Sequence, residues 1–89
     1  MTENKDDVTL IVNTREREIS LKVLSPDGEI TFDEVVKLAF ADPPSGQYIV
    51  FTVSYWNGAG RPPEGILYPG ESVKVQDGTV FNVTVTDKS

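Results

Sequence analysis

The sequence predicts an α+β fold, a mixed sheet of four to five strands with one helix packed on one face. Three observations carry that reading. Short stretches of alternating apolar and polar residues flank a single amphipathic helical segment. That segment opens on Thr31-Phe32-Asp33-Glu34, a capping box in which the Thr31 hydroxyl takes the Glu34 amide proton and the Glu34 carboxylate returns to the Thr31 amide. Near the end of the chain, two alternating runs meet at Asp77-Gly78, a strong hairpin signal.

Residues 1–7, polar and acidic, read as a disordered lead. Val8, Leu10 and Val12 alternate with Thr9 and Ile11 to give a first strand. Asn13 to Glu16 is a polar turn. Ile19, Leu21 and Val23 alternate again as a second strand, antiparallel to the first. Ser25-Pro26-Asp27-Gly28 suits a type I turn. The helix is expected near residues 31–41. Phe32, Val35, Val36 and Ala39 stand at i, i+3, i+4 and i+7, widened by Leu38 and Phe40. Asp42-Pro43-Pro44 ends it, because Pro has no amide proton and clashes with the preceding turn.

Tyr48 to Trp56 is dense in β-branched and aromatic residues and reads as a central strand. Ile49, Phe51, Val53 and Tyr55 share one face; Tyr48, Val50, Thr52, Ser54 and Trp56 share the other. Residues 57–65 form a Gly- and Pro-rich loop. Leu67-Tyr68 is a short edge segment. The closing hairpin joins Val73–Gln76 to Thr79–Thr86. The domain thus covers residues 8–86, with 87–89 as a short tail. Leu10 or Ile11, Leu21, Val35, Phe51, Phe81 and Val83 are expected in the core.

One helix covers only one face of a sheet. With first and last strands adjacent and parallel at its centre, this order is the β-grasp of ubiquitin. A small β-sandwich is the alternative, and the capping box with six apolar helical positions argues against it.

Composition narrows the chemistry. At 89 residues the chain is one small domain. It has no cysteine and no histidine, which removes thiolate chemistry, disulfides and the usual neutral-pH base. The net charge of −6 opposes nucleic acid and anionic lipid. No apolar run reaches a membrane span of ~20 residues. A cytoplasmic monomer is expected, with no signal peptide and no cofactor.

Other motifs read as structural. Gly58-Ala59-Gly60-Arg61 lacks the Lys-Ser/Thr and following helix of a phosphate cradle. Asn82-Val83-Thr84 matches a glycosylation pattern inside a strand of an unsecreted chain. Asp27, Glu29, Asp33 and Glu34 lack calcium-loop spacing. No catalytic set emerges, so the chain is not expected to be an enzyme. If Ile49, Phe51, Val53 and Tyr55 face the helix, Tyr48, Val50 and Trp56 face outward as a partner-binding patch. The other reading folds Trp56 over the domain's rim.

The chain resembles bacterial ubiquitin-like proteins of the multiubiquitin type. The resemblance rests on Ile11-Val12-Asn13, Ile30 to Ala39, Val53-Ser54-Tyr55, Leu67-Tyr68-Pro69-Gly70 and Val75 to Thr84, and spans residues 8–89. It implies a protein modifier that works with an adenylating (activating) enzyme, a conjugating enzyme and a processing or deconjugating peptidase. The reactive group would be the carboxylate at Ser89 or at a residue uncovered by trimming, on the tail Asp87-Lys88-Ser89, joined to target proteins by an isopeptide bond. The tail departs from the Gly-Gly ending of ubiquitin. Three or four extended residues reach only about 10–13 Å beyond a sheet. Either the last strand frays from about Val85, or the activating enzyme has a shallow entrance, or the protein binds without conjugation. A noncovalent ubiquitin-like module and a sulfur carrier are the alternatives.

Overall fold

The computed structural model describes residues 7–88. The expected lead therefore lies outside the described residues except for Asp7, and so does Ser89. Eight elements follow in order: β1 (Asp7–Val12), β2 (Arg15–Ser20), β3 (Glu29–Thr31), α1 (Phe32–Ala39), β4 (Ile49–Trp56), β5 (Gly65–Leu67), β6 (Ser72–Lys74) and β7 (Val80–Asp87). The main sheet has the order β2-β1-β7-β4-β5, and β3 and β6 form a second, two-stranded sheet. β1 and β7 run parallel, with Ile11 against Val80 and Val12 against Phe81; the other main-sheet pairs are antiparallel. This mixed five-stranded sheet with one helix is the expected β-grasp. Among the described residues, β7 is the only strand that joins the β2-β1 half of the main sheet to the β4-β5 half.

The helix forms where its cap requires. The Thr31 hydroxyl accepts the Glu34 amide at 3.2 Å, and the Glu34 carboxylate accepts the Thr31 amide at 3.4 Å. Phe32, Val35 and Val36 are its buried face. It is shorter than the expected 31–41, because Phe40 is already extended (φ −133°) and only its amide still bonds back, to Val36. Thr31→Ala should lower stability by about 0.5–2 kcal/mol through the lost first-turn acceptor. A urea midpoint equal to wild type would show that this cap does not support the fold.

The core lies between α1 and the main sheet. Leu10, Ile30, Val35, Val53 and Phe81 are fully buried, with Val83 nearly so. Phe51, expected among them, is half-buried and packs its ring 6.0 Å from that of Phe40. Ile49, Phe51, Val53 and Tyr55 do share the helix side: Val53 is buried, and Phe51 and Tyr55 pack against the core.

Four expectations need correction. Leu21 and Val23 are neither strand nor core. β2 stops at Ser20, whose hydroxyl accepts the Lys22 amide and starts a 3-10 turn over Leu21–Val23. Both side chains are 44% exposed. The first turn is tighter than expected. Asn13 and Thr14 alone form it, both at positive φ (51° and 69°), as a type I′ hairpin requires.

The closing hairpin does not form. β6 pairs with β3, a strand that sequence reasoning missed, in the register Ile30–Val73. A turn is present, since the Thr79 amide donates to the Gln76 carbonyl at 3.0 Å. Gly78 has φ +92° while Asp77 is not among the positive-φ residues, which matches a type II turn. Type II splays its flanking strands instead of twisting them into a ribbon. The turn is then fixed to β1: Gly78 donates to the Thr9 carbonyl and Thr9 donates to the Asp77 carboxylate. Finally, the short edge strand is Gly65–Leu67; Tyr68 lies beyond it, in a Pro69-Gly70 turn closed by the Glu71 amide on the Tyr68 carbonyl.

Candidate functional site

Two regions bear on function, the end of β7 and the sheet face that points away from α1. β7 stays paired with β4 along its whole length, from Trp56–Val80 to Ile49–Asp87. The ladder extends one step further, because the Lys88 amide donates to the Tyr48 carbonyl at 2.9 Å. Asp87, expected in the tail, is therefore a strand residue, and Lys88 is held at the sheet margin. Ser89 lies outside the described residues.

On the outer face, Tyr48, Val50 and Trp56 are 50%, 41% and 45% exposed. They do not form one patch. Val50 and Trp56 stand six residues apart on one strand, about 20 Å at the usual rise. Tyr48 and Val50 sit beside the end of β7. Trp56 is at the opposite end, across from Val80 and next to the residue 57–65 loop. Two neighbours went unnoticed in the sequence, Ile66 and Tyr68, 43% and 59% exposed. The register Ser54–Ile66 puts Ile66 on the outer face, and alternation carries Tyr68 to the same side. Their two-residue spacing was the available signal. Together with Val50 they leave an apolar outer surface at the β4–β5 margin.

The glycine loop has a packing role. The Gly58 amide donates to the Pro63 carbonyl and the Ala59 amide to the Lys74 carbonyl, so both point into the protein rather than toward a ligand. A Cβ on Gly58 would stand 3.1 Å from the Pro63 oxygen and 3.2 Å from that of Lys74. Beneath the loop, the buried Thr79 hydroxyl donates to the Asn57 carbonyl and accepts the Gln76 amide, both at 2.9 Å. Among the described residues, no cluster of three or more acidic side chains is placed to hold a metal ion, and no helix is long and apolar enough to cross a membrane.

Comparison with curated proteins and with solved structures finds no match. The family comparison does: the multiubiquitin family model matches residues 8–87, from β1 to the last residue of β7. With its β-grasp sheet and single capped helix, the chain belongs to the multiubiquitin family.

Proposed function

We propose that this protein is a ubiquitin-like modifier whose C-terminal carboxylate is activated and transferred to target proteins. The supporting observation is the course of β7. It carries the chain to the margin of the sheet at Lys88, beside the exposed Tyr48 and Val50. A partner that docks there meets the chain where β7 reaches the sheet margin. The carboxylate oxygen attacks the α-phosphorus of ATP, and the bond to pyrophosphate breaks. The acyl adenylate is then attacked by a nucleophile that leads to a target amine, with loss of AMP and a proton. Beyond that carboxylate, the steps ask for no nucleophile or metal from this chain. An activating enzyme, a conjugating enzyme and a processing or deconjugating peptidase are the implied partners, in a cytoplasmic setting.

The test is ATP–pyrophosphate exchange by a ubiquitin-type activating enzyme with this protein as acyl donor, followed by mass spectrometry of conjugates. Exchange should require the full chain. Deletion of Lys88 and Ser89 should abolish transfer with little change in melting, since only the Lys88–Tyr48 bond is removed from the described structure. Equal exchange and conjugation by full-length and deleted chains would defeat the carboxylate mechanism. A second reading, a noncovalent ubiquitin-like module, is favoured by that same bond, which holds the chain in the sheet up to Lys88. Binding to partners without exchange is its signature. A thiocarboxylate product would instead mark a sulfur carrier.

A further inference from the structure

The two edges of the main sheet are treated differently. At one edge, β2 exposes Arg15-Glu16-Arg17-Glu18, alternating charges that discourage a further strand. At the other, β5 is only three residues long and covers β4 at Val53, Ser54 and Tyr55 alone. The Pro69-Gly70 turn takes the chain away, so among the described residues Ile49-Val50-Phe51-Thr52 has no neighbouring strand on the β5 side. This stretch contains no charge.

The phase of the ladder decides which backbone groups this leaves open. The Lys88 amide donates to the Tyr48 carbonyl, which sets the phase: even-numbered β4 residues bond to β7 and odd-numbered ones point toward β5. Ile49 directs its amide to the Gly46 carbonyl at 3.2 Å. Extending the β4–β5 register past Leu67 would set Phe51 against Pro69, which has no amide proton and belongs to the turn, not the strand. The Phe51 amide and carbonyl therefore face an open slot. The slot is a groove of about 370 Å³, lined on the helix side by Phe32, Ile49 and Leu67 and on the outer side by Val50, Ile66 and Tyr68. That lining alternates between faces as the sides of a missing strand would.

We infer that this groove binds an extended peptide by strand addition to β4 at Phe51, and that the peptide is apolar at alternate positions with basic residues at its ends. Backbone pairing supplies the register, and the apolar walls select side chains at alternate positions. The basic ends follow from charge. The chain carries −6, and Asp33 and Glu71 line a separate pocket that shares Phe32 with the groove. The same charge opposes a second copy of this chain as the occupant. The inference does not depend on conjugation.

The probe is a short peptide alternating Val and Thr with paired lysines at each end, titrated into isotope-labelled full-length protein. Binding should slow hydrogen exchange at the Phe51 amide by about tenfold or more. Glutamates in place of the lysines should weaken binding by about tenfold. Methylating alternate peptide amides leaves every side chain in place and should abolish binding. Val50→Lys, at an exposed wall position, should fold normally and weaken binding by about tenfold. Equal affinity of the methylated peptide, equal affinity of the glutamate peptide, or an unprotected Phe51 would each overturn the proposal. Phe51 protection that rises with protein concentration alone, with dimers in sedimentation, would assign the slot to a second copy and overturn it too.

Discussion

Phe81→Ala should lower stability by about 3–5 kcal/mol, most of what a small domain has when its total is about 5–10 kcal/mol. The ring is fully buried on the central strand. It lies opposite Val12 across the parallel pair and opposite Tyr55 across the antiparallel one, with the Tyr55 ring 6.3 Å away. Both neighbours belong to laddered strands, so the backbone has little freedom to close the space left by the ring. The loss then contains a cavity contribution beyond transfer of the ring from water. Denaturant unfolding with an unchanged slope is the appropriate measurement. A loss under about 1 kcal/mol would mean that the site collapses and that Phe81 is not the centre of the core.

Asn13→Ala should cost about 2–4 kcal/mol, much more than a turn residue usually does. Two requirements meet at this position. Its φ of +51° is left-handed, a conformation Asn tolerates and Ala resists. Its side-chain amide also acts as one more peptide unit of β1. The Asn13 backbone amide donates to the Phe81 carbonyl, then Oδ1 accepts the Val83 amide at 2.7 Å and Nδ2 donates to the Val83 carbonyl at 3.1 Å. Alanine leaves both Val83 groups without these partners and adds backbone strain. Asn13→Gly separates the contributions, because glycine relieves the strain while both Val83 bonds stay lost. It should be less destabilised than Asn13→Ala by about 1 kcal/mol. If Gly and Ala variants were both close to wild type, the Val83 bonds would carry no stability.

Legibility in the sequence followed the range of the interactions involved. The Thr31–Glu34 cap spans three residues and was readable. The Tyr48–Trp56 strand was readable from composition, with its true start at Ile49. Leu21 and Val23 were misread because alternation cannot distinguish a strand from a chain that Ser20 has turned. The Asp77-Gly78 turn was recognised, but not its type, which depends on the backbone angles at Asp77 and on contacts with Thr9. β3 was missed because Glu29-Ile30-Thr31 has a single apolar residue and exists only by pairing with β6 about forty residues later. Asn13 looked like a turn residue because Val83, its partner, is 70 residues distant. The candidate site was partly legible for the same reason. The exposure of Tyr48, Val50 and Trp56 follows from alternation, whereas the open Phe51 edge depends on where β5 stops.

The position of β7 has a consequence for synthesis. The first six strands of the growing chain contain the hairpin β1-β2 and the pair β4-β5, but no hydrogen-bonded contact between these two halves of the main sheet. Among the described residues only β7, made after the other strands of the sheet, joins them, closing a loop of about seventy residues to β1. Local pieces therefore gain little before β7 emerges, and the nascent domain stays open to chaperones and proteases until then. Completion of the main sheet, in effect, waits on β7.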